Sequence, residues 1–251
     1  MNINDFVAAS SARSYLGLNS GTQSVARTNL AGQAGFDKAD KRIQSLVDVT
    51  SAQLSSFGQL KSAVSDTQLA AKALGSLSAT SSNAAVKTAT ESFVGAFNSA
   101  ISTAKSTSAF AGEGASAQSA SRAGKDLVRT VSTDSATRDA LKQFGFSLAS
   151  DGKLTLDVKK FDAAQTADPT TVKATLAKIG QQVDKAATQE LASGGNVSSA
   201  VSSLNQRASV LKSQQDTLTA LQQTATDATI NSNAYGNAYS NGFSSFGSFR
   251  R

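Results

Sequence analysis

Residues 38–75 place Ile43, Val47, Thr50, Leu54, Phe57, Lys61, Val64, Gln68 and Ala71 at alternating steps of four and three, and Leu46 and Leu60 broaden the row. This spacing predicts one long helix with a heptad seam, of the kind found in a coiled coil or on a core helix of a bundle. Lys61 and Gln68 are polar members of the seam, which cost stability but can fix register. Gly75 is placed to end the helix. Residues 197–228 repeat the arrangement with Val197, Val201, Leu204, Ala208, Leu211, Gln215 and Leu218. Packing the two helices along one another would bury both seams. Phe57, Leu60, Val64, Leu204, Leu211 and Leu218 are the expected helix-packing residues.

The chain between these helices divides by pattern. Residues 76–84, SLSATSSNA, have the composition of a linker. A helix is expected from about Ala85 to Ser106, with Val86, Phe93, Val94, Phe97 and Ile101 on one side. Two glycines in FAGEGAS, residues 110–116, break it. Another helix is expected over about 117–131, carrying Leu127, Val128 and Val131. Asp134 or Ser135 can cap a short helix that ends at Gly145. Phe146, Leu148, Leu154 and Leu156 alternate with polar or small residues around Asp151-Gly152, the pattern of a hairpin. A three-residue loop, Ser150 to Gly152, pairs Leu148 with Leu154 and Phe146 with Leu156, so all four share a face. Asp168-Pro169 starts a further helix with Val172, Leu176, Ile179, Val183 and Ala187 on one side. Gly194-Gly195-Asn196 is a tight connection to the last helix.

The expected architecture is mainly α: an elongated antiparallel helical bundle or coiled coil with one small β-hairpin near 146–156 and flexible termini. Residues 1–37, rich in Ser, Asn, Ala, Thr and Gly without a period, form a flexible N-terminal segment. Residues 38–228 form the helical domain. Residues 229–251 form an Asn/Ser/Gly-rich tail in which Tyr235, Tyr239, Phe243, Phe246 and Phe249 recur at steps of four, four, three and three. On a helix these would make an aromatic stripe, but Gly236, Gly242 and Gly247 oppose a helix in isolation. The tail reads as disordered in the free protein and able to order against neighbouring subunits, with the five aromatics as assembly contacts.

Composition narrows the chemistry. The 251 residues include no Cys, no His, no Trp and one Pro, with aromatics at 6%. The absence of Cys and His removes disulfides, thiolate and imidazole metal sites and Ser-His catalysis. No phosphate-binding or dinucleotide motif is present. Asp151, Asp157 and Asp162 lack the calcium-loop pattern, and read as a turn residue and two solvated helix positions. The expectation is a non-enzyme without cofactor or metal. The net charge of +6 is spread among acidic residues, as on a solvated surface rather than a nucleic-acid face. No apolar run reaches the length of a membrane span, and the N-terminus has no apolar signal core. The chain is therefore expected in the cytoplasm, or exported without a cleaved hydrophobic signal.

Two stretches together resemble the flagellar hook-associated protein 2 family, the filament cap: AQLSSFGQLKSAV at residues 52–64 and FGFSLASDGKLTLDVKKFDAAQTADPTTVKATL at residues 144–176. FVGAFNSAI at 93–101 and SSLNQRASVLKSQQDTLTAL at 202–221 are similar in pattern to further helices of that family. The resemblance implies the leg of a cap subunit, which oligomerises into a ring at the filament tip and helps flagellin fold into place. It also implies export through the flagellar type III channel and partners among flagellin or other axial proteins, with an export chaperone. The family's large plate-forming insertion would fall at the 76–84 junction, which is short here. Rival readings are an exported adhesin or surface protein reusing the leg, a filament-forming subunit, and a cytoplasmic helical scaffold.

Overall fold

The computed structural model describes the backbone of residues 25–132 and 134–244, and the side chains of residues 33–132, 134–228 and 230. The protein is mainly α with one antiparallel hairpin. Its elements are α1 (Val25–Gly75), α2 (Asn83–Ala111), α3 (Ala115–Ser132), α4 (Ser135–Gln143), β1 (Phe146–Leu148), β2 (Leu154–Leu156), α5 (Val158–Ala167), α6 (Pro169–Leu191) and α7 (Asn196–Ser244). The described chain divides into two compact units, a larger one of residues 50–207 and a smaller one built from the described residues before 50 and after 207.

The larger unit holds a continuous apolar core. From α1 it takes Phe57, Leu60, Ala63, Val64, Ala71 and Leu74. From α2 it takes Val86, Phe93, Phe97 and Ile101, and from α6 Val172, Leu176, Ile179, Val183 and Ala187. The α6 residues are those expected from the period of the sequence. Phe93 and Phe97 lie one turn apart with ring centroids 5.8 Å apart. Phe146 of β1 meets Phe161 of α5 edge to face at 6.2 Å.

The α1 seam has a different phase from the expected one. Its buried positions are Thr50, Phe57, Leu60, Ala63, Val64, Thr67, Ala71 and Leu74, whereas Lys61 is exposed and Gln68 half-buried. The two phases share Thr50, Phe57, Val64 and Ala71, and Leu60, expected to broaden the row, is fully buried. Burying the Lys61 ammonium would cost far more than burying Leu60, so the helix turns that edge to solvent. Thr67 tolerates full burial because its Oγ1 donates to Ala63 O at 2.8 Å and to Ala96 O at 3.0 Å.

Local chemistry sets the helix ends. The Ser82 side chain accepts from Ala85 N–H at 3.2 Å and starts α2 two residues before the expected position. Asp134 caps α4 and Asp168 caps α6, with Pro169 in the first turn. Asp157 and Asp162 were both expected as solvated helix positions, without bounds for the helix; Asp162 lies on α5, and Asp157 is its cap, accepting from Lys160 N–H at 3.1 Å. Asp162 pairs with Lys87 at 2.8 Å, tying α5 to α2.

The hairpin has the expected register: Phe146 opposite Leu156, Ser147 opposite Thr155, and Leu148 opposite Leu154. Ala149 N–H donates to Lys153 O at 2.8 Å and Gly152 N–H to Ala149 O at 2.9 Å, with Gly152 at φ +84°. This is a turn followed by a left-handed residue, the usual three-residue loop. Only Phe146 and Leu154 of the four apolar residues are buried. Leu148 is exposed and Leu156 half-buried.

In the smaller unit, Phe36 and Leu211 are buried, and Ile43, Leu46, Val47 and Leu218 are half-buried. Gln215 Nε2 donates to Gln44 Oε1 at 3.3 Å, so a polar member of the α7 seam meets a residue of α1 within this unit. Residues 1–24 of the segment expected to be flexible lie outside the described residues, and the helix has already begun at Val25. At the other end α7 continues as helix to Ser244, beyond the expected end at 228 and past Gly236 and Gly242. With no Pro after residue 169, the chain keeps every backbone N–H for the helix ladder.

Candidate functional site

Three regions of the described residues stand out: the seams, the Asp126–Glu190–Asn196 cluster, and a groove beside the hairpin. Of the expected packing residues, Phe57, Leu60 and Val64 are fully buried in the larger unit, joined there by Leu204. Leu211 is buried and Leu218 half-buried in the smaller unit. Of the expected assembly contacts, Tyr235, Tyr239 and Phe243 fall on the helical backbone of α7, while Phe246 and Phe249 lie outside the described residues. Val210 and Ile230 on α7 are both more than half exposed, at 56% and 59%.

The hairpin is fixed by a residue that the sequence did not single out. Asn98 of α2 accepts from Leu154 N–H and donates through its amide nitrogen to Leu154 O, each at 2.7 Å. Its side-chain amide thus substitutes for a neighbouring strand along the outer edge of β2. A polar residue between Phe97 and Ile101 on a helix with a buried face was the available signal.

At the start of α7, Asn196 N–H donates to Glu190 Oε2 at 3.2 Å and its side-chain amide donates to Glu190 Oε1 at 2.9 Å. The same amide reaches Asp126 Oδ2 at 3.5 Å. Burial holds the Glu190 carboxyl above its ordinary value, the Asn196 hydrogen bond opposes this, and the Asp126 charge adds to the rise. Two further carboxyls behave oppositely. Asp134 is held low first by the Thr137 hydroxyl and then by Lys178. Asp168 is held low by Thr171, through its hydroxyl and then its N–H.

The groove lies between α2, α3 and the hairpin loop and encloses about 740 Å³. Its apolar lining includes Ile101, Ala104, Ala109, Gly124 and Val128. Gly124 allows α2 and α3 to approach closely, since a Cβ there would stand 3.0 Å from Ala104 Cβ. The loop docks through Gly152, whose added Cβ would lie 2.9 Å from Val128 Cγ2. Three exposed cations, Lys105, Lys125 and Arg129, also line it. Arg129 pairs with Asp126 at 3.4 Å, whereas Lys105 and Lys125 have no ion pair among the described residues. The Asp151 carboxylate in the lining is engaged by Lys153, whose N–H donates to it at 3.1 Å and whose Nζ stands at 3.9 Å.

Among the described residues no group of three or more His, Cys, Asp or Glu is placed to hold a metal ion. No described helix is long and apolar enough to cross a membrane. What the fold presents is a helical module with buried seams and a groove beside its hairpin. The family model of the flagellar hook-associated protein 2 C-terminus matches residues 66–234, well over half of the chain, and the chain belongs to that family. Its members are structural, exported proteins of the flagellar cap. Of the stretches that carried the resemblance, 144–176 lies within the match and 52–64 precedes it. Searches among curated proteins and among solved structures found no match.

Proposed function

We propose that the chain is an axial subunit of the flagellum that oligomerises and assists flagellin assembly at the filament tip. The observation that carries this reading is the family match over residues 66–234, which takes in α2 to α6, the hairpin and most of α7. The chain would leave the cell by flagellar export without a cleaved signal, with an export chaperone as a transient partner. Copies of itself and flagellin or other axial proteins are its lasting partners. Exposed Val210, Leu221 and Ile230 on α7 supply apolar surface for subunit contacts. The contacts expected to complete assembly are Tyr235, Tyr239, Phe243, Phe246 and Phe249.

The test is a strain lacking the protein, compared with its parent. Abundant unpolymerised flagellin in the medium with short or absent filaments is expected. Normal filaments without leakage would overturn the proposal and leave a leg reused for adhesion or another surface role.

A further inference from the structure

We propose that the groove between α2, α3 and the hairpin loop is a docking site for a short acidic, aliphatic segment of a partner protein. Its volume of about 740 Å³ suits several side chains rather than a single ion. Its chemistry is divided in a way that defines the occupant. Ile101, Ala104, Gly124 and Val128 offer an apolar lining, which favours an aliphatic side chain. Lys105 and Lys125 stand at the same groove with their charges unneutralised by any described carboxylate. Arg129 adds a third positive charge and is shared with Asp126. Asp151, the carboxylate in the lining, accepts from Lys153 N–H at 3.1 Å and stands 3.9 Å from Lys153 Nζ, so the lining sets three cations against one carboxylate.

A carboxylate-bearing segment meets these charges, whereas a basic one is repelled. A second copy of this chain is a poorer complement, because each copy carries a net charge of +6. Close packing also makes the groove a fixed feature of the larger unit. Gly124 brings α3 against Ala104 of α2, where a Cβ would stand only 3.0 Å away, and Gly152 seats the loop on Val128. An occupant therefore meets a preformed surface and loses little to ordering the receptor.

The experiment uses the full chain and three short fluorescent peptides: one alternating Glu and Leu, one with Ser replacing Leu, and one with Lys replacing Glu. The Glu–Leu peptide is expected to bind, and the other two much more weakly. Reversing both lysines, Lys105→Glu with Lys125→Glu, should weaken Glu–Leu binding about tenfold or more. Both side chains are exposed, so circular dichroism should be unchanged. Reversing Lys159 and Lys185, which lie outside the groove, should change binding less than about twofold, a loss confined to general screening.

The proposal is overturned if the control reversal weakens binding as much as the groove reversal. It is also overturned if the Ser-containing or Lys-containing peptide binds as tightly as the Glu–Leu peptide, or if none binds. Sedimentation of the protein alone completes the test. A dimer abolished by the Lys105/Lys125 reversal would place a second copy in the groove instead.

Discussion

Glu190 is the carboxylate on which burial and charge are most directly opposed. It is 5% exposed, beside Asp126, and has Asn196 as its hydrogen-bond partner. Because its folded value is raised above the ordinary 4.5, its protonated form is the better fit. Stability from this site is present in full below the unfolded value and is lost as pH rises through the folded one. Glu190→Gln should therefore remove a decline in stability as pH rises above the ordinary carboxylate range, measured by urea unfolding at each pH. An unchanged slope would mean that the carboxylate is solvated in the folded state. Asp134 and Asp168 have the opposite sign. Their folded values are lowered, so the stability they give is present above the unfolded value and is lost as pH falls through the folded one. Asp134→Asn together with Asp168→Asn should flatten the acid limb while leaving the neutral region nearly level. Backbone contact makes Gly180 equally unforgiving. A Cβ on it would overlap Gly75 N and Ala71 O, where α6 crosses α1. Gly180→Ala should cost about 1–3 kcal/mol in chemical denaturation, an overpacking loss.

At the level of elements, the hairpin was the most legible part of the fold. Alternation of Phe146, Leu148, Leu154 and Leu156 around Asp151-Gly152 leaves one loop length that keeps the four on a single face, and the strands adopt that register. The α1 seam was half legible. Thr50, Phe57, Val64 and Ala71 belong to both possible phases, and only the differences between Leu60 and Lys61 and between Thr67 and Gln68 separate them. The bounds of α5 were hidden because its ten residues bury only Phe161 and Gln165, too few to show a period. Its signal was the Asp157 cap. The groove could not be read at all. Lys105, Lys125 and the hairpin loop come from separate elements and meet only through tertiary packing. Asn98 could be noticed as a polar residue between Phe97 and Ile101, but its role could not, since its two partners are backbone atoms more than fifty positions away, at Leu154. Asn98→Ala should leave the N–H and C=O of buried Leu154 without those bonds and cost about 2–3 kcal/mol in urea unfolding. Amide exchange over β1 and β2 should accelerate more than over α6, and uniform acceleration would count against the edge-closing role.

For the whole molecule, the test of assembly is truncation after Ala228. The core of the larger unit ends before that point, so the shortened chain should stay folded but no longer oligomerise, as read by sedimentation. Normal assembly of the truncated chain would remove Tyr235, Tyr239, Phe243, Phe246 and Phe249 from that role. The junction of α1 with α2 has a different consequence. Residues 76–82 close it in a short turn, which buried Lys173 holds through Ala79 O at 3.1 Å and Gln165 secures through Asn83 O at 3.1 Å. The two helix ends are thus kept side by side by partners on α5 and α6, outside the turn. Residues 78–81 are exposed except at the last position, and their hydroxyls bond chiefly among themselves. Such a turn is a port in the chain. A domain whose own ends lie close together could be gained or lost there while the helices on either side keep their packing, so the size of the protein can change by a single event without redesign of its core.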